Sequence, residues 1–131
     1  MSSRPYKRIA TEEAWSIPEI PKAQLELLHG PCPPDDPSLR MGAMFASLGA
    51  LQEQLCDIGE GRIARMDELG IDRQLLLLTA PGVQVLNPRE GTELAALSND
   101  RLAAACRKYP DRFSGLAAFA PQDVKGAVGE I

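Results

Sequence analysis

The amino-acid sequence predicts an α/β protein of parallel strands with helices packed outside them. Three observations predict it. Leu75, Leu76, Leu77 and Leu78 form a short apolar run, bounded by polar residues and by Pro81-Gly82, with the length and punctuation of a strand buried on both faces. Apolar residues at steps of three and four lie on either side of that run, in the pattern of amphipathic helices. The order is therefore β, long loop, α, β, α, β and the start of an α-helix, an alternation that implies parallel strands joined by right-handed crossovers. A doubly wound sheet and a (β/α)8 barrel both begin this way, and three strands complete neither. The uncovered sheet face should be apolar, presenting residues among Leu75 to Leu78 and Leu116. A complete barrel takes about 250 residues, so the 131 residues read as the N-terminal part of a larger protein.

The elements follow in order. Residues 8–12 (RIATE) read as a strand. From 16 to about 40 the prolines at 18, 21, 31, 33, 34 and 37 forbid a long regular element, so 16–46 reads as a proline-rich insertion loop, with room for a short helix over 18–28. Leu48, Leu51, Leu55, Ile58, Met66 and Leu69 predict a helix over 47–69, weakened at Gly59 and Gly61 and closed by Gly70 in the left-handed conformation. Residues 73–79 form the leucine strand, and Pro81-Gly82 fits a type II turn. Asn87, Pro88 and Glu90 start a helix as cap, first-turn proline and capping-box partner, and Pro110 ends it. Asn99 and Asp100 are poor helix formers inside it and should serve to pack it by hydrogen bonding. Residues 112–120 read as a third strand, with Gly115 allowing close packing, and Asp123 caps a last helix.

Composition excludes several classes. The chain is 44% hydrophobic and 24% charged, a globular balance. With 14 basic and 18 acidic residues it lacks the basic face that nucleic-acid binding needs. No apolar run approaches the roughly 20 residues of a membrane span, and no signal core follows Arg8. The three cysteines, Cys32, Cys56 and Cys106, have neither zinc-site nor redox spacing. Cys56 and Cys106 fall in helical patterns as reduced, buried thiols, which fits a cytoplasmic protein.

Candidate chemistry lies at the strand ends, where ligands gather in α/β folds. Glu12 and Glu13 are adjacent, so their side chains face opposite ways on a strand, and one of them could offer an oxygen ligand to a divalent metal. A solvated charge pair is the competing reading. Thr79, Ala80, Pro81 and Gly82 form a strand exit that can bring backbone N–H groups close to a ligand. There is no GxGxxG after a strand and no Walker loop. His29 is the only histidine and reads as a surface residue of the loop.

Taken together, Ile9-Ala10-Thr11-Glu12-Glu13-Ala14-Trp15, Gly59 through Asp67, Thr79-Ala80-Pro81-Gly82-Val83-Gln84, Asn99-Asp100, Tyr109-Pro110-Asp111-Arg112-Phe113 and Ala120-Pro121-Gln122-Asp123 resemble, in order and spacing, the N-terminal third of a known group. These are the amidohydrolase-superfamily decarboxylases of hydroxylated benzoates, the 5-carboxyvanillate, 2,3-dihydroxybenzoate and γ-resorcylate enzymes. The resemblance implies a (β/α)8 TIM-like barrel, of which residues 1–131 form the N-terminal arc of about three βα units. It implies one divalent metal (Mn, Zn or Mg), with Glu12 as a ligand. It implies a small aromatic carboxylic acid as substrate, with Thr79, Ala80, Pro81 and Gly82 beside its ring, and a homo-oligomer, dimer or tetramer. Ala14 stands where many superfamily hydrolases carry the second histidine of an HxH pair, which favours a reduced ligand set. The family's other ligands and its proton-handling residues come from later strands. No catalytic residue is therefore expected within this chain, and the 131 residues alone should be inactive. A metal-dependent hydrolase of lactonase type and a non-catalytic truncated remnant are the alternatives.

Overall fold

In a computed structural model, residues 5–130 are described. The elements run β1 (Ile9–Trp15), α1 (Glu19–Leu28), α2 (Pro37–Ala46), α3 (Gly49–Cys56), α4 (Glu60–Leu69), β2 (Arg73–Leu78), α5 (Pro88–Lys108), β3 (Phe113–Gly115) and α6 (Val124–Glu130). The three strands form one parallel sheet in the order β1-β2-β3. This is the α/β arc expected from the alternation.

One sheet face is covered by helices. Gln74 and Leu76 of β2 pair with Phe113 and Gly115 of β3. Gln74, Leu76 and Phe113 are buried, and with Trp15, Met66, Ala95 and Leu102 they mark the core. Gly115 has no side chain because Leu102 of α5 fills the space; a Cβ there would stand 2.4 Å from Leu102 Cδ2. The other face is open. Leu75 and Leu77 are half-buried, while Leu116 and Phe119 are 54% and 47% exposed. The expected apolar open face is therefore present in alternating residues, and Leu76 belongs to the covered face instead.

The segment 16–46, expected as a loop, carries α1 and α2. Its prolines sit where helices accept them: Pro18 precedes α1, Pro21 lies in its first turn, and Pro37 opens α2 after Asp36, whose side chain accepts the Ser38 N–H. The expected single helix over 47–69 is two helices, α3 and α4, broken at 57–59. The break is built rather than merely weak. Asp57 accepts the Gly59 N–H at 3.0 Å and its carboxylate packs over Gly61, where a Cβ would lie 2.4 Å from Oδ2. Gly70 closes α4 at φ 67°, as expected of a left-handed cap. Asn87 caps α5 by accepting from Glu90 N–H, and Asp123 accepts from Gly126 N–H at the start of α6.

Two further expectations change. The third strand is regular only over Phe113–Gly115; Leu116 N–H still reaches Leu76 C=O at 3.1 Å, and 117–120 forms no strand. The hydrogen-bonded turn after β2 is not type II over 80–83. It spans Pro81 to Gln84, with Gly82 in second place at φ 58° and a cis Ala80-Pro81 bond. Among the described residues, no helix is long and apolar enough to cross a membrane.

Candidate functional site at the strand exits

β1 runs on past residue 12, because Ala14 and Trp15 pair with Leu77 and Leu78. Glu12 therefore lies within the strand rather than at its end. The register shifts between Ala10, opposite Gln74, and Glu13, opposite Leu76. Thr11 and Glu12 thus oppose Leu75 alone, a bulge of the kind that re-aims side chains beside functional sites. Both are exposed. Glu13 shares the covered face with Leu76, and its Oε2 accepts a hydrogen bond from Gln74 Nε2 at 3.0 Å. Of the two carboxylates, Glu13 is spoken for by the helix-side packing and Glu12 is presented on the open side.

The end of β1 is held by a residue that the sequence did not single out. Arg62 of α4 is buried, and its guanidinium donates to the Asp57, Ala14 and Gln54 carbonyls at 2.6, 3.0 and 3.1 Å and to Gln74 Oε1 at 3.3 Å. One side chain so ties α3, α4, β1 and β2 together beside Glu13. Burial pulls its affinity for the proton down, and the Glu13 carboxylate works the other way.

Thr79, Ala80, Pro81 and Gly82 line a cavity of about 280 Å³ between the exits of β2 and β3, faced by Leu116 and Phe119. Two glutamines grip this turn. Gln24 of α1, 3% exposed, donates from Nε2 to the Gly82 carbonyl at 2.8 Å. Gln122, beyond β3, donates to the Val83 and Leu86 carbonyls at 2.8 and 3.0 Å. Asn99 of α5 locks the far wall, donating to Ala118 C=O and accepting from Ala118 N–H at 2.8 and 2.7 Å. That is the packing role expected of it; Asp100 is exposed.

Glu12 does not line this cavity. It sits at the level of Leu75, four residues before Thr79, or about 13 Å along the strand axis at 3.3 Å per residue. A larger cavity of about 620 Å³ lies among α1, α3 and the end of α2, with His29 on its wall, and none of the strand-exit residues borders it. His29 is exposed, as expected. Cys32 is exposed while Cys56 and Cys106 are half-buried, and burial pushes both of these thiols up. Among the described residues, no group of three His, Cys, Asp or Glu could hold a metal ion. Glu12 offers a single carboxylate, and among the described residues no further His, Cys, Asp or Glu groups with it into a set that could complete a metal's shell.

No protein-family profile matches the chain. It is 44% identical over 125 residues to gamma-resorcylate decarboxylase of Rhodococcus jostii, a match covering 95% of this chain and 33% of that enzyme. It superposes with a TM-score of 0.84 and 43% identity on 5-carboxyvanillate decarboxylase from Novosphingobium aromaticivorans, crystallised with manganese and 3-methoxy-4-hydroxy-5-nitrobenzoic acid, covering 92% of this chain and 36% of that one. With 2,6-dihydroxybenzoate decarboxylase from Rhizobium the TM-score is 0.70 at 34% identity, over 95% of this chain and 33% of that one. The chain spans about a third of the length of the curated relatives it matches. Over that third it is related in sequence and fold to hydroxybenzoate decarboxylases, some of them crystallised with manganese, as the motifs implied, and its sheet corresponds to an arc of their barrel.

Proposed function

We propose that this chain is the N-terminal part of a divalent-metal-dependent, non-oxidative decarboxylase of aromatic acids bearing a hydroxyl ortho to the carboxylate. The observation that carries the reading is the fit of 92% of the chain, at a TM-score of 0.84, onto a decarboxylase that holds manganese and a hydroxylated nitrobenzoate. Glu12, exposed on the β1 bulge, takes one position on the metal. Thr79, Ala80, Pro81 and Gly82 form the wall beside the ring. The metal, when bound, supplies a template and Lewis acid for the neighbouring carboxylate and phenolic oxygens. The net reaction places a proton on the ring carbon that bears the carboxylate. The C–C bond then breaks, its electron pair restores the aromatic ring, and carbon dioxide leaves.

Within this scheme the chain contributes positioning. Arg62 holds the Ala14 carbonyl and Gln74 the Glu13 carboxylate, which fixes the β1 backbone that carries Glu12. The remaining ligands and the proton donor are expected from later strands, so the 131-residue chain alone should be inactive. The working enzyme is a cytoplasmic homo-oligomer in this reading, and light scattering measures its size.

The test is direct. A protein carrying this chain with the rest of the barrel is assayed for carbon dioxide release from ortho-hydroxybenzoates, before and after chelation and with manganese restored. Release that stops on chelation and returns with manganese supports the reading. Hydrolysis of lactones, with every ortho-hydroxybenzoate left intact, would sink it and promote the hydrolase.

A further inference from the structure

We propose that Gln24 is a positioning residue of the strand-exit cavity: it holds the Pro81–Gln84 turn, and through it α1 and α2 set the shape of the wall facing the ligand. The proposal rests on the reading that this cavity is the substrate site.

The turn is weakly closed by its own backbone. Gln84 N–H reaches Pro81 C=O at 3.3 Å and Leu86 N–H reaches Val83 C=O at 3.2 Å, both at the long end of the useful range. Its shape also needs Gly82 at φ 58°, a conformation that other residues rarely adopt. The shorter bonds come from outside. Gln122 holds Val83 and Leu86 from the β3 side, while Gln24 reaches Gly82 from the helical segment. The Gly82 carbonyl is buried with its residue, so removing the amide leaves it without that donor and away from water.

Gln24 is itself held from behind. Gly42 of α2 gives it room: a Cβ at 42 would stand 2.5 Å from Gln24 Oε1 and 3.0 Å from Pro81 Cδ. The amide is thus sandwiched between the α2 backbone and the turn. A movement of α1 and α2 therefore cannot leave the cavity wall unchanged. The small cavity beside Gln24 is bordered by Ser16, Phe45, Gln52, Leu55 and Thr79 and by no charged side chain.

That neutral setting supplies a test that packing alone would not pass. In Gln24→Glu the ionised carboxylate repels the Gly82 carbonyl, whereas the protonated acid can donate to it as the amide does. Burial raises a carboxyl's pKa by up to about 3–5 units, so the acid form is populated at about pH 5 and the carboxylate at about pH 9.5. Hydrogen exchange of the peptide spanning 79–86 is compared with wild type at each pH in the soluble protein. Exchange about tenfold faster than wild type at about pH 9.5, returning near wild type at about pH 5, is expected, with α5 unchanged at both. Gln24→Leu should be fast at both pH values; should it fail to fold, Gln24→Glu still decides the question. In the full enzyme, Gln24→Glu at the higher pH should raise KM for the acid about tenfold with kcat within about twofold, since the residue holds the wall and not the reacting atoms.

A Gln24→Glu exchange ratio that is the same at both pH values overturns the proposal, and so does a loosened turn with an unchanged KM. Absence of decarboxylation by the wild-type enzyme would instead count against the reading of the activity, and the exchange ratio would still report what Gln24 holds.

Discussion

Replacing Arg62 by methionine removes the buried cation at the junction of β1, α3, α4 and β2 while keeping much of the side-chain length. Four acceptors lose their donor: the carbonyls of Asp57, Ala14 and Gln54, and Gln74 Oε1. Hydrogen bonds to charged groups contribute roughly 1.5–3 kcal/mol each, but they cannot simply be added, because burying the guanidinium already cost several kcal/mol of hydration. Three contacts lie at 3.1 Å or less, and since a buried acceptor left without its donor costs roughly 1–3 kcal/mol, the loss comes to about 4 kcal/mol. The apolar methionine side chain returns roughly 1 kcal/mol by burial. A net loss of about 3 kcal/mol remains, a large share of a stability of order 5–15 kcal/mol. With a urea slope of about 1–3 kcal/mol per M, the unfolding midpoint should fall by about 1–3 M. Arg62→Lys should recover only part of this, since one ammonium cannot span acceptors on both strands and both helices. A midpoint for Arg62→Met within about 0.3 M of wild type, at an unchanged slope, would refute the claim that this guanidinium organises the end of β1.

Three further outcomes are expected. Gly115→Ala drives a methyl group into Leu102, a core residue of α5, and should lower stability by about 1–3 kcal/mol in the same urea measurement. Arg101 donates twice to Glu19, at 2.6 and 2.7 Å, which holds the Glu19 carboxyl below its ordinary value. A depressed pKa gives stability that is present above the unfolded value and lost as pH falls through the folded one, so Arg101→Ala should cost up to ~1 kcal/mol at neutral pH, limited by solvent screening of this half-exposed pair, and almost nothing in strong acid. Glu12→Gln in a protein carrying the whole barrel should lower activity by at least about 100-fold and weaken manganese affinity, read by metal titration, whereas Glu13→Gln should leave metal affinity within about tenfold, since Glu13 bonds Gln74 on the covered face.

Much of the fold was legible because it was written locally. The leucine run needed no partner to be read as a strand, although only one of its faces is covered, and Asn87, Gly70 and Asp123 satisfy backbone groups within a turn of themselves. What was missed depended on contacts distant in sequence or on a competition between local signals. Prolines at 18, 21 and 37 looked like breakers of 16–46, yet each sits at a helix start, where its missing N–H leaves no bond unmade. The apolar spacing from Leu48 to Leu69 ran through residues 57–59 as if one helix were continuous. The Asp57 side chain, capping Gly59 and packing over Gly61, wins there against periodicity.

The site divides in the same way. Glu12 and the 79–82 exit were visible as residue types, and alternation along a strand already separated Glu12 from Glu13. Alternation alone did not show that a bulge places Thr11 and Glu12 together opposite Leu75, which is what frees Glu12 while Glu13 is captured. Nor did any local pattern mark Gln24 or Arg62, whose hydrogen-bond partners at Gly82 and Ala14 lie 58 and 48 residues away. A lone glutamine in a helix has the composition of solvent-facing surface. Only when α1 folds back against the β2 exit does its amide meet a carbonyl that needs it. The residues that would touch a ligand are thus readable from the strand ends, while those that hold them in place are created by the crossover connections, and a substitution scheme built from motifs alone would leave the second group untested.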